Sequence, residues 1–241
     1  MRRTLVISDI HGCYEEFNAL LELVHFNKNE DLLLLLGDYV DRGIQSKEVV
    51  ERVLQLVQGG NVVALRGNHD QRFLDLMTSE DEVVKMKFIQ HGGLQTLESY
   101  CGGTILESMS VEERLQYAEE YINKRYKHHI SFLNSLPFYY EDRDHIYVHA
   151  GLNPSYENWK QQSEYDFMYI KEPFFKNPTV VDKIVVFGHS KVIDIHEKAD
   201  VWFGEDKIGV DGGCAYGFQL NCLEINDGNY KTYFTLANYP K

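Results

Sequence analysis

The 241-residue sequence lacks an apolar run that approaches the length of a membrane span. Its first residues lead directly into a predicted strand and do not follow the pattern of a signal peptide. Cysteine is scarce, and no C-x-x-C pair occurs among the four cysteines, which are Cys13, Cys101, Cys214 and Cys222. We therefore interpret the cysteines as reduced thiols and expect a cytoplasmic protein that has no membrane partner.

Positive charge is also in short supply, because 24 Lys and Arg residues stand against 37 Asp and Glu residues. The resulting net charge of −13 argues against a nucleic-acid polymer as a partner, since no basic stripe is available to release counterions. The protein as a whole would repel an anionic substrate. A site for an anion must therefore supply its own local positive charge.

The sequence does contain enough apolar residues for one large core, with 44% hydrophobic and 13% aromatic residues. Three short apolar runs are typical of buried strands, at residues 4–7, 32–36 and 61–65. Two helical patterns separate these runs, one at residues 14–24 and one that begins near Ser46, its predicted N-cap. This β-α-β-α-β alternation predicts a largely parallel sheet with right-handed crossovers.

Beyond residue 73 the pattern changes. Residues from about 73 to 140 contain charge-rich helical stretches broken by glycine pairs, and we expect them to form a helical insertion that caps the sheet. Strand patterns return from residue 146. The last three of them, at residues 207–210, 219–225 and 230–236, are typical of antiparallel strands. We find no repeat and no linker, so we predict a single domain over residues 1–241.

Polar clusters follow five of the predicted strands at the point where each strand ends. The clusters are Asp9 with His11, Asp38 with Asp41 and Arg42, Asn68 with His69, His149 alone and His189 alone. Each of these residues taken singly could be a turn residue, a helix cap or a hydrogen-bonded core histidine. Because the carboxyl ends of strands form the ligand crevice of open α/β sheets, we expect all five clusters to lie at one rim.

The types of side chain in these clusters predict a metal site. Carboxylate, imidazole and amide ligands without a thiolate favour manganese, with iron or zinc as alternatives, over calcium or a structural zinc ion. The ligands are too numerous for one ion, so we predict two ions that share Asp38: Asp9, His11 and Asp38 for the first, and Asp38, Asn68, His149 and His189 for the second. Two ions about 3.5–4 Å apart suit in-line displacement at phosphorus.

Three of the clusters also carry a family resemblance. Residues 8–12 read SDIHG and are similar to the GDxHG motif, residues 37–43 are GDYVDRG, and residues 67–70 are GNHD. With His149 and His189 behind them, these motifs resemble those of the calcineurin-like metallophosphoesterases, and within them the phosphoprotein phosphatase branch with its bacterial and bacteriophage-like members. The resemblance implies an α/β fold, a four-layer αββα sandwich, with two metal ions and hydrolysis of phosphomonoesters.

The same resemblance suggests individual roles. A metal-bound hydroxide would attack phosphorus directly, His69 would protonate the leaving group, and Asp41 would orient His69. Arg42 would bind the phosphoryl oxygens with help from Asn68. No arginine follows Arg143, so the second phosphate-binding arginine of the family is missing, and we predict that Lys171 replaces it.

The sequence leaves the substrate and the oligomeric state open. GDYVDRG with an intact Asp41 favours a Ser/Thr phosphoprotein phosphatase, which acts on a phosphoprotein or another phosphorylated molecule. The alternative is a symmetrical hydrolase of diadenosine tetraphosphate and related dinucleoside polyphosphates, which the compact chain and the GNHD motif favour. A protein that binds the metals without turnover is a third hypothesis, which the pairing of His69 with Asp41 opposes.

Overall fold

Two five-stranded mixed sheets form the centre of the computed structural model, which describes residues 2–106 and 108–238. The first sheet has the order β10-β9-β1-β2-β3, and the second has the order β4-β5-β6-β8-β7. The strands are β1 Thr4–Ile7, β2 Leu32–Leu35, β3 Val62–Ala64, β4 Tyr139–Glu141, β5 His145–Val148, β6 Ile184–Phe187, β7 Trp202–Phe203, β8 Lys207–Gly209, β9 Gln219–Asn226 and β10 Asn229–Leu236.

Helices cover the outer faces of both sheets. They are α1 Tyr14–Leu23, α2 Ser46–Gln58, α3 Asn68–Thr78, α4 Glu82–Gln90, α5 Gly93–Cys101, α6 Gly103–Leu106, α7 Val111–Arg125, α8 Lys127–Ser135, α9 Glu164–Tyr169, α10 Glu172–Phe175 and α11 Ile193–His196. Two one-turn 3-10 helices span Trp159–Gln161 and Cys214–Tyr216.

Three apolar clusters define the layers. The cluster between the sheets contains Val6 and Leu34 from the first sheet and Tyr147, Val186 and Ile208 from the second. A larger cluster joins the first sheet to helices α1–α5, α7 and α8, and a third joins the second sheet to α9 and α10. The protein is therefore an α/β sandwich in the order helices, sheet, sheet, helices, which confirms the predicted fold class.

The parallel part of the sequence prediction is confirmed. Strand β1 pairs with β2 and β2 pairs with β3 in parallel, whereas β9 and β10 are antiparallel as predicted. The antiparallel prediction is wrong for one side of β8, which pairs in parallel with β6 and antiparallel with β7. The prediction that Ser46 is an N-cap is wrong, because Ser46 is the first residue of α2. Its hydroxyl lies 3.3 Å from Thr96 Oγ1. The helical segment that connects β3 to β4 along the chain begins at Asn68 and ends at Ser135.

The four cysteines are free and buried, including Cys214 and Cys222. Within the described ranges, no helix combines the length and the apolar character that crossing a membrane would require.

Candidate metal centre

The predicted site residues come together at the carboxyl ends of five strands. Asp9 and His11 follow β1, Asp38 follows β2, and Asn68 opens the helix after β3. From the second sheet, His149 and His189 follow β5 and β6. Both sheets therefore contribute to one cluster, as the strand-end pattern predicts.

The backbone around the cluster is unusual. Left-handed backbone angles, with φ between 45° and 71°, occur at six candidate site residues, namely Asp9, His11, Asp38, Asp41, Arg42 and His189. Non-glycine residues rarely adopt this conformation, and it persists where surrounding contacts enforce it. Position 37 next to this cluster requires glycine, because a Cβ atom at Gly37 would lie 2.5 Å from the backbone nitrogen of Gly67.

Asp38 lies at the centre of the cluster. Its Oδ2 is 3.4 Å from His11 Nε2, and its Oδ1 is 3.6 Å from His149 Nε2. The ligand atoms of Asp38, His11 and His69 lie within 4.8 Å of one another, and so do those of Asp38, His149 and His189. The two carboxylate oxygens of Asp38 thus face two different groups of histidines, an arrangement that suits a bridging ligand.

Hydrogen bonds fix the histidine rings so that lone pairs point inward. His149 Nδ1 lies 2.8 Å from the carbonyl oxygen of Leu36 and donates to it, which leaves a lone pair on Nε2. That nitrogen is 2.9 Å from Asn68 Oδ1, so two acceptor atoms converge without a proton between them. His11 Nδ1 donates in the same way to the carbonyl oxygen of Val40 over 2.7 Å. Converging acceptors of this kind fit a cation.

Asp9 and His189 complete the cluster. The carboxylate of Asp9 accepts hydrogen bonds from the hydroxyl of Ser8 and from the backbone N–H of His189, the latter at 2.9 Å. Asp9 Oδ1 is 3.9 Å from His11 Nε2. His189 Nε2 is buried and has no hydrogen-bond partner among the described residues. A buried imidazole nitrogen without a partner is a further observation that fits a metal ligand.

The pKa values agree with this interpretation. Burial raises the pKa of Asp38 to about 6 and also raises that of Asp9, because the protein groups alone do not compensate these buried charges. Burial, followed by the charge of Arg42, holds the pKa of His11 well below its usual value. Burial also lowers the pKa of His149. Imidazoles that stay neutral and carboxylates that need a counterion are the donors that a divalent cation requires.

Asp41 and His69 form a hydrogen-bonded pair beside the cluster. His69 Nδ1 donates to Asp41 Oδ2 over 2.6 Å, and Asp41 is fully buried. Thr96 Oγ1 donates to Asp41 Oδ1 over 2.8 Å and accepts from the Asp41 backbone N–H, also at 2.8 Å. Burial, followed by the charges of His11 and Arg42, holds the pKa of His69 well below its usual value. Thr96, from α5, therefore fixes the orientation of Asp41, a role that sequence reasoning missed.

Arg42 lies across the mouth of the cluster. Its guanidinium contacts His11 Nε2 and donates from Nη2 to His69 Nε2 over 2.8 Å. The same group lies 4.9 Å from the centroid of the Tyr216 ring, which is 44% exposed. Arg42 is thus held at the site, where its remaining N–H groups can reach an anion.

Sequence reasoning assigned no role to two buried carboxylates near the site. Asp70 accepts backbone hydrogen bonds of 2.9 Å from Gly67, Asp38 and Tyr39, so it joins the loop after β2 to the start of α3. Asp211 follows strand β8, is buried, and lines the pocket over the cluster. The rule that located the other clusters also applies to Asp211, because it comes directly after a predicted strand.

A pocket of about 320 Å³ opens over the cluster and is lined by Asp9, Asp38, Asn68 and His69, among others. Four cationic side chains also line it, namely Arg42, Arg72, Lys171 and Lys191. Lys171, which the sequence predicted as a phosphate-binding cation, therefore lines this pocket. Arg72 and Lys191 were missed, because a basic residue in a helix or loop has no distinguishing sequence pattern.

A mixed α/β sandwich with carboxylates and imidazoles gathered at its strand ends defines the metal-dependent phosphoesterase class. The profile of the calcineurin-like phosphoesterase family matches residues 2–229. The chain belongs to this family, whose members use a dinuclear centre of divalent metal ions.

The relatives and solved structures that resemble this chain include nucleotide hydrolases and a protein phosphatase. It is 26% identical to a symmetrical bis(5'-nucleosyl)-tetraphosphatase of Chromobacterium violaceum, over 92% of this chain and 91% of that protein. A solved structure provisionally assigned as a diadenosine tetraphosphatase has a TM-score of 0.63 at 22% identity, covering 97% of this chain and 93% of the other. A protein serine/threonine phosphatase from Saccharomyces cerevisiae has a TM-score of 0.63 at 15% identity, covering 100% and 81%.

Proposed function

We propose that this chain is a metal-dependent hydrolase of symmetrical dinucleoside tetraphosphates, which it cleaves at the central anhydride to give two nucleoside diphosphates. The observation that carries the proposal is the set of four cations around the pocket, which are Arg42, Arg72, Lys171 and Lys191. A single phosphoryl group needs one or two of them. A chain of four phosphates can use all four. Together with bound metal ions, these cations would offset the carboxylates that line the same pocket, which are Asp9, Asp38, Glu172, Asp194 and Asp211.

The similarity to symmetrical bis(5'-nucleosyl)-tetraphosphatases supports the same conclusion, because it extends over nearly the full length of both chains. The likeness to the serine/threonine phosphatase is at 15% identity and supports the fold alone. The sequence by itself ranked a phosphoprotein phosphatase first. The four cationic side chains at the pocket and the full-length relatives favour the opposite order.

The metal ligands we propose are Asp9, His11 and Asp38 for one ion, and Asp38, Asn68, His149 and His189 for the other. When bound, such ions neutralise phosphate charge and lower the pKa of water, and manganese, iron and zinc all suit these donors. The protein holds the ligands in place through Ser8, Leu36 and Val40, which hydrogen-bond to Asp9, His149 and His11 respectively.

His69 and Asp41 handle the proton of the leaving group. Asp41 holds His69 Nδ1–H, so Nε2 is directed toward Arg42 and the pocket. An anionic substrate would attract the Arg42 guanidinium to its own oxygens. His69 would then lose its nearest positive charge and gain a negative neighbour, which raises its pKa and favours proton donation from Nε2 to the leaving oxygen.

Arg42, Arg72 and Lys171 are the phosphate-binding side chains that we propose, with the Asn68 amide beside them. Arg72 belongs in this set because it lines the pocket together with Asp38, His69 and His189. Its guanidinium supplies the bidentate fork that Lys171 lacks.

A Ser/Thr phosphoprotein phosphatase remains a second candidate, because one observation favours it. The hydrogen-bonded pair of Asp41 and His69 is most useful for a poor leaving group such as a serine alkoxide. A nucleoside diphosphate leaves more easily and depends less on this pair.

The two candidates are separated by initial rates on diadenosine tetraphosphate and on a phosphoserine peptide, measured side by side with Mn²⁺. We expect a higher kcat/KM on the dinucleotide and ADP as its sole nucleotide product in chromatography. A higher kcat/KM on the peptide, or formation of AMP and ATP, would refute the proposed function.

A further inference from the structure

A second cavity of about 710 Å³ adjoins the pocket over the metal centre. Arg72, His91, Tyr165 and Tyr169 line both, so these side chains form the boundary between the two spaces. The second cavity contains none of the proposed metal ligands. A substrate whose phosphate lies at the metal centre could therefore extend a bulky group into it.

The boundary carries a flat aromatic surface. The rings of Tyr165 and Tyr169 are stacked, with centroids 4.4 Å apart and an angle of 11° between their planes. Tyr165 is the outer ring of this stack and is 65% exposed. Such a large exposed aromatic face, at the edge of a cavity and supported from behind by a second ring, is suited to stacking against another flat group.

A cation lies next to this surface. The Arg72 guanidinium carbon is 5.3 Å from the centroid of the Tyr169 ring, and its Nη1 is buried without a hydrogen-bond partner among the described residues. Stacking on Tyr169 holds this guanidinium in place while it keeps N–H groups available. Arg72 and Tyr165 both line the two cavities, so a flat group stacked on Tyr165 and a phosphate attached to it can share this boundary with the guanidinium.

We infer that this second cavity is the binding subsite for one nucleobase of the nucleotide substrate, with the base stacked on Tyr165 and its phosphates bound by Arg72. The inference rests on the proposed function and adds the residues that recognise the nucleoside. Aromatic stacking of this kind is tolerant of sequence because every base has a π-face.

The remaining lining of the cavity suits the edge of adenine. Gln90 and Glu164 line it, and both are exposed. A glutamine amide can pair with N6 and N7 of adenine, and a carboxylate can accept a hydrogen bond from an exocyclic amino group. These groups favour adenine over uracil, which has no amino group.

The test is a comparison of binding constants, measured by calorimetry on the Mn²⁺-loaded protein, for ADP and for pyrophosphate. We expect the wild-type protein to bind ADP more tightly. Tyr165→Ala should weaken ADP binding about five- to 150-fold, the range for losing one base–aromatic stack, and leave pyrophosphate binding unchanged. Tyr165→Phe should retain the ADP affinity. Phe203→Ala, which removes another half-exposed aromatic side chain outside both cavities, should leave both affinities unchanged.

Three results would overturn the inference. They are equal affinity of the wild-type protein for ADP and pyrophosphate, an equal loss of both affinities in Tyr165→Ala, and an unchanged ADP affinity in Tyr165→Ala. Because Tyr165 is exposed, the variant should keep the wild-type melting temperature. Failure of the wild-type protein to hydrolyse diadenosine tetraphosphate would refute the proposed function separately, since the binding comparison does not require turnover of that compound.

Discussion

Replacing Asp41 with asparagine tests the proton-transfer pair while preserving its shape. Asp41 receives Nδ1–H of His69 at 2.6 Å and the Thr96 hydroxyl at 2.8 Å, and it is fully buried. Asparagine has nearly the same volume but carries no charge. It cannot stabilise a positive His69, and its amide N–H₂ can favour the wrong tautomer of the ring.

The size of the effect follows from the hydrogen bond that is lost. A hydrogen bond to a charged group contributes about 1.5–3 kcal/mol. If the bond between Asp41 and His69 acts in the transition state, its loss lowers kcat about 10- to 150-fold, since 1.36 kcal/mol corresponds to a factor of ten. The loss should shrink for a leaving group that needs no proton.

The assay compares phenyl phosphate, whose leaving phenol has a pKa of about 10, with p-nitrophenyl phosphate, whose leaving group is better. We expect Asp41→Asn to reduce kcat strongly on the first and weakly on the second, with unchanged metal content. Thr96→Val serves as a graded control, because it keeps the carboxylate and removes one neutral hydrogen bond that contributes about 0.5–1.5 kcal/mol. Equal losses of Asp41→Asn on both esters would refute the role of the pair.

Two further predictions concern charge. In steady-state kinetics, Arg72→Leu should raise KM for diadenosine tetraphosphate at least tenfold and change kcat/KM for p-nitrophenyl phosphate less. A larger effect on p-nitrophenyl phosphate than on diadenosine tetraphosphate would contradict the role of Arg72 with an extended phosphate chain. Asp31→Asn should lower the free energy of unfolding by about 1.5–3 kcal/mol at pH 7 in urea titrations, because Asp31 accepts hydrogen bonds from Arg3 at 2.9 and 2.6 Å. Burial acts to raise the pKa of Asp31, but the hydrogen bonds from Arg3 and from the backbone N–H of Asn27 together with the nearby positive charge outweigh it, and the net shift is downward. This stabilisation is therefore present above the usual aspartate pKa and is lost as pH falls through the lower folded value. A difference between Asp31→Asn and wild type that grows toward acid pH would contradict this.

The strand-end clusters could be predicted because both of their signals are local. Short apolar runs such as residues 32–36 predict buried strands, and a polar cluster directly after each run indicates the carboxyl edge of the sheet. Parallel pairing then brings Asp9, Asp38 and Asn68 together, as the pairing of β1, β2 and β3 shows. The second sheet adds His149 and His189 through its own strand ends.

The residues that were missed depend on tertiary contacts. Thr96 reaches Asp41 from α5, and the sequence does not reveal which face of that helix turns toward the site. Arg72 lies on α3, where a basic residue is equally typical of an exposed helix face. Ser46 has a residue type favoured at N-caps, but its hydroxyl packs near Thr96 as the first residue of α2, so local propensity gave the wrong boundary.

The central claim is that one cluster around Asp38 holds two cations, and metal stoichiometry tests it most directly. Protein stripped with a chelator, dialysed and titrated with Mn²⁺ in a calorimeter should bind two equivalents per chain. His189→Ala should retain one tight equivalent, because Asp9, His11 and Asp38 remain, whereas Asp38→Asn should weaken both. A single equivalent in the wild-type protein, or two unchanged equivalents in Asp38→Asn, would contradict the claim.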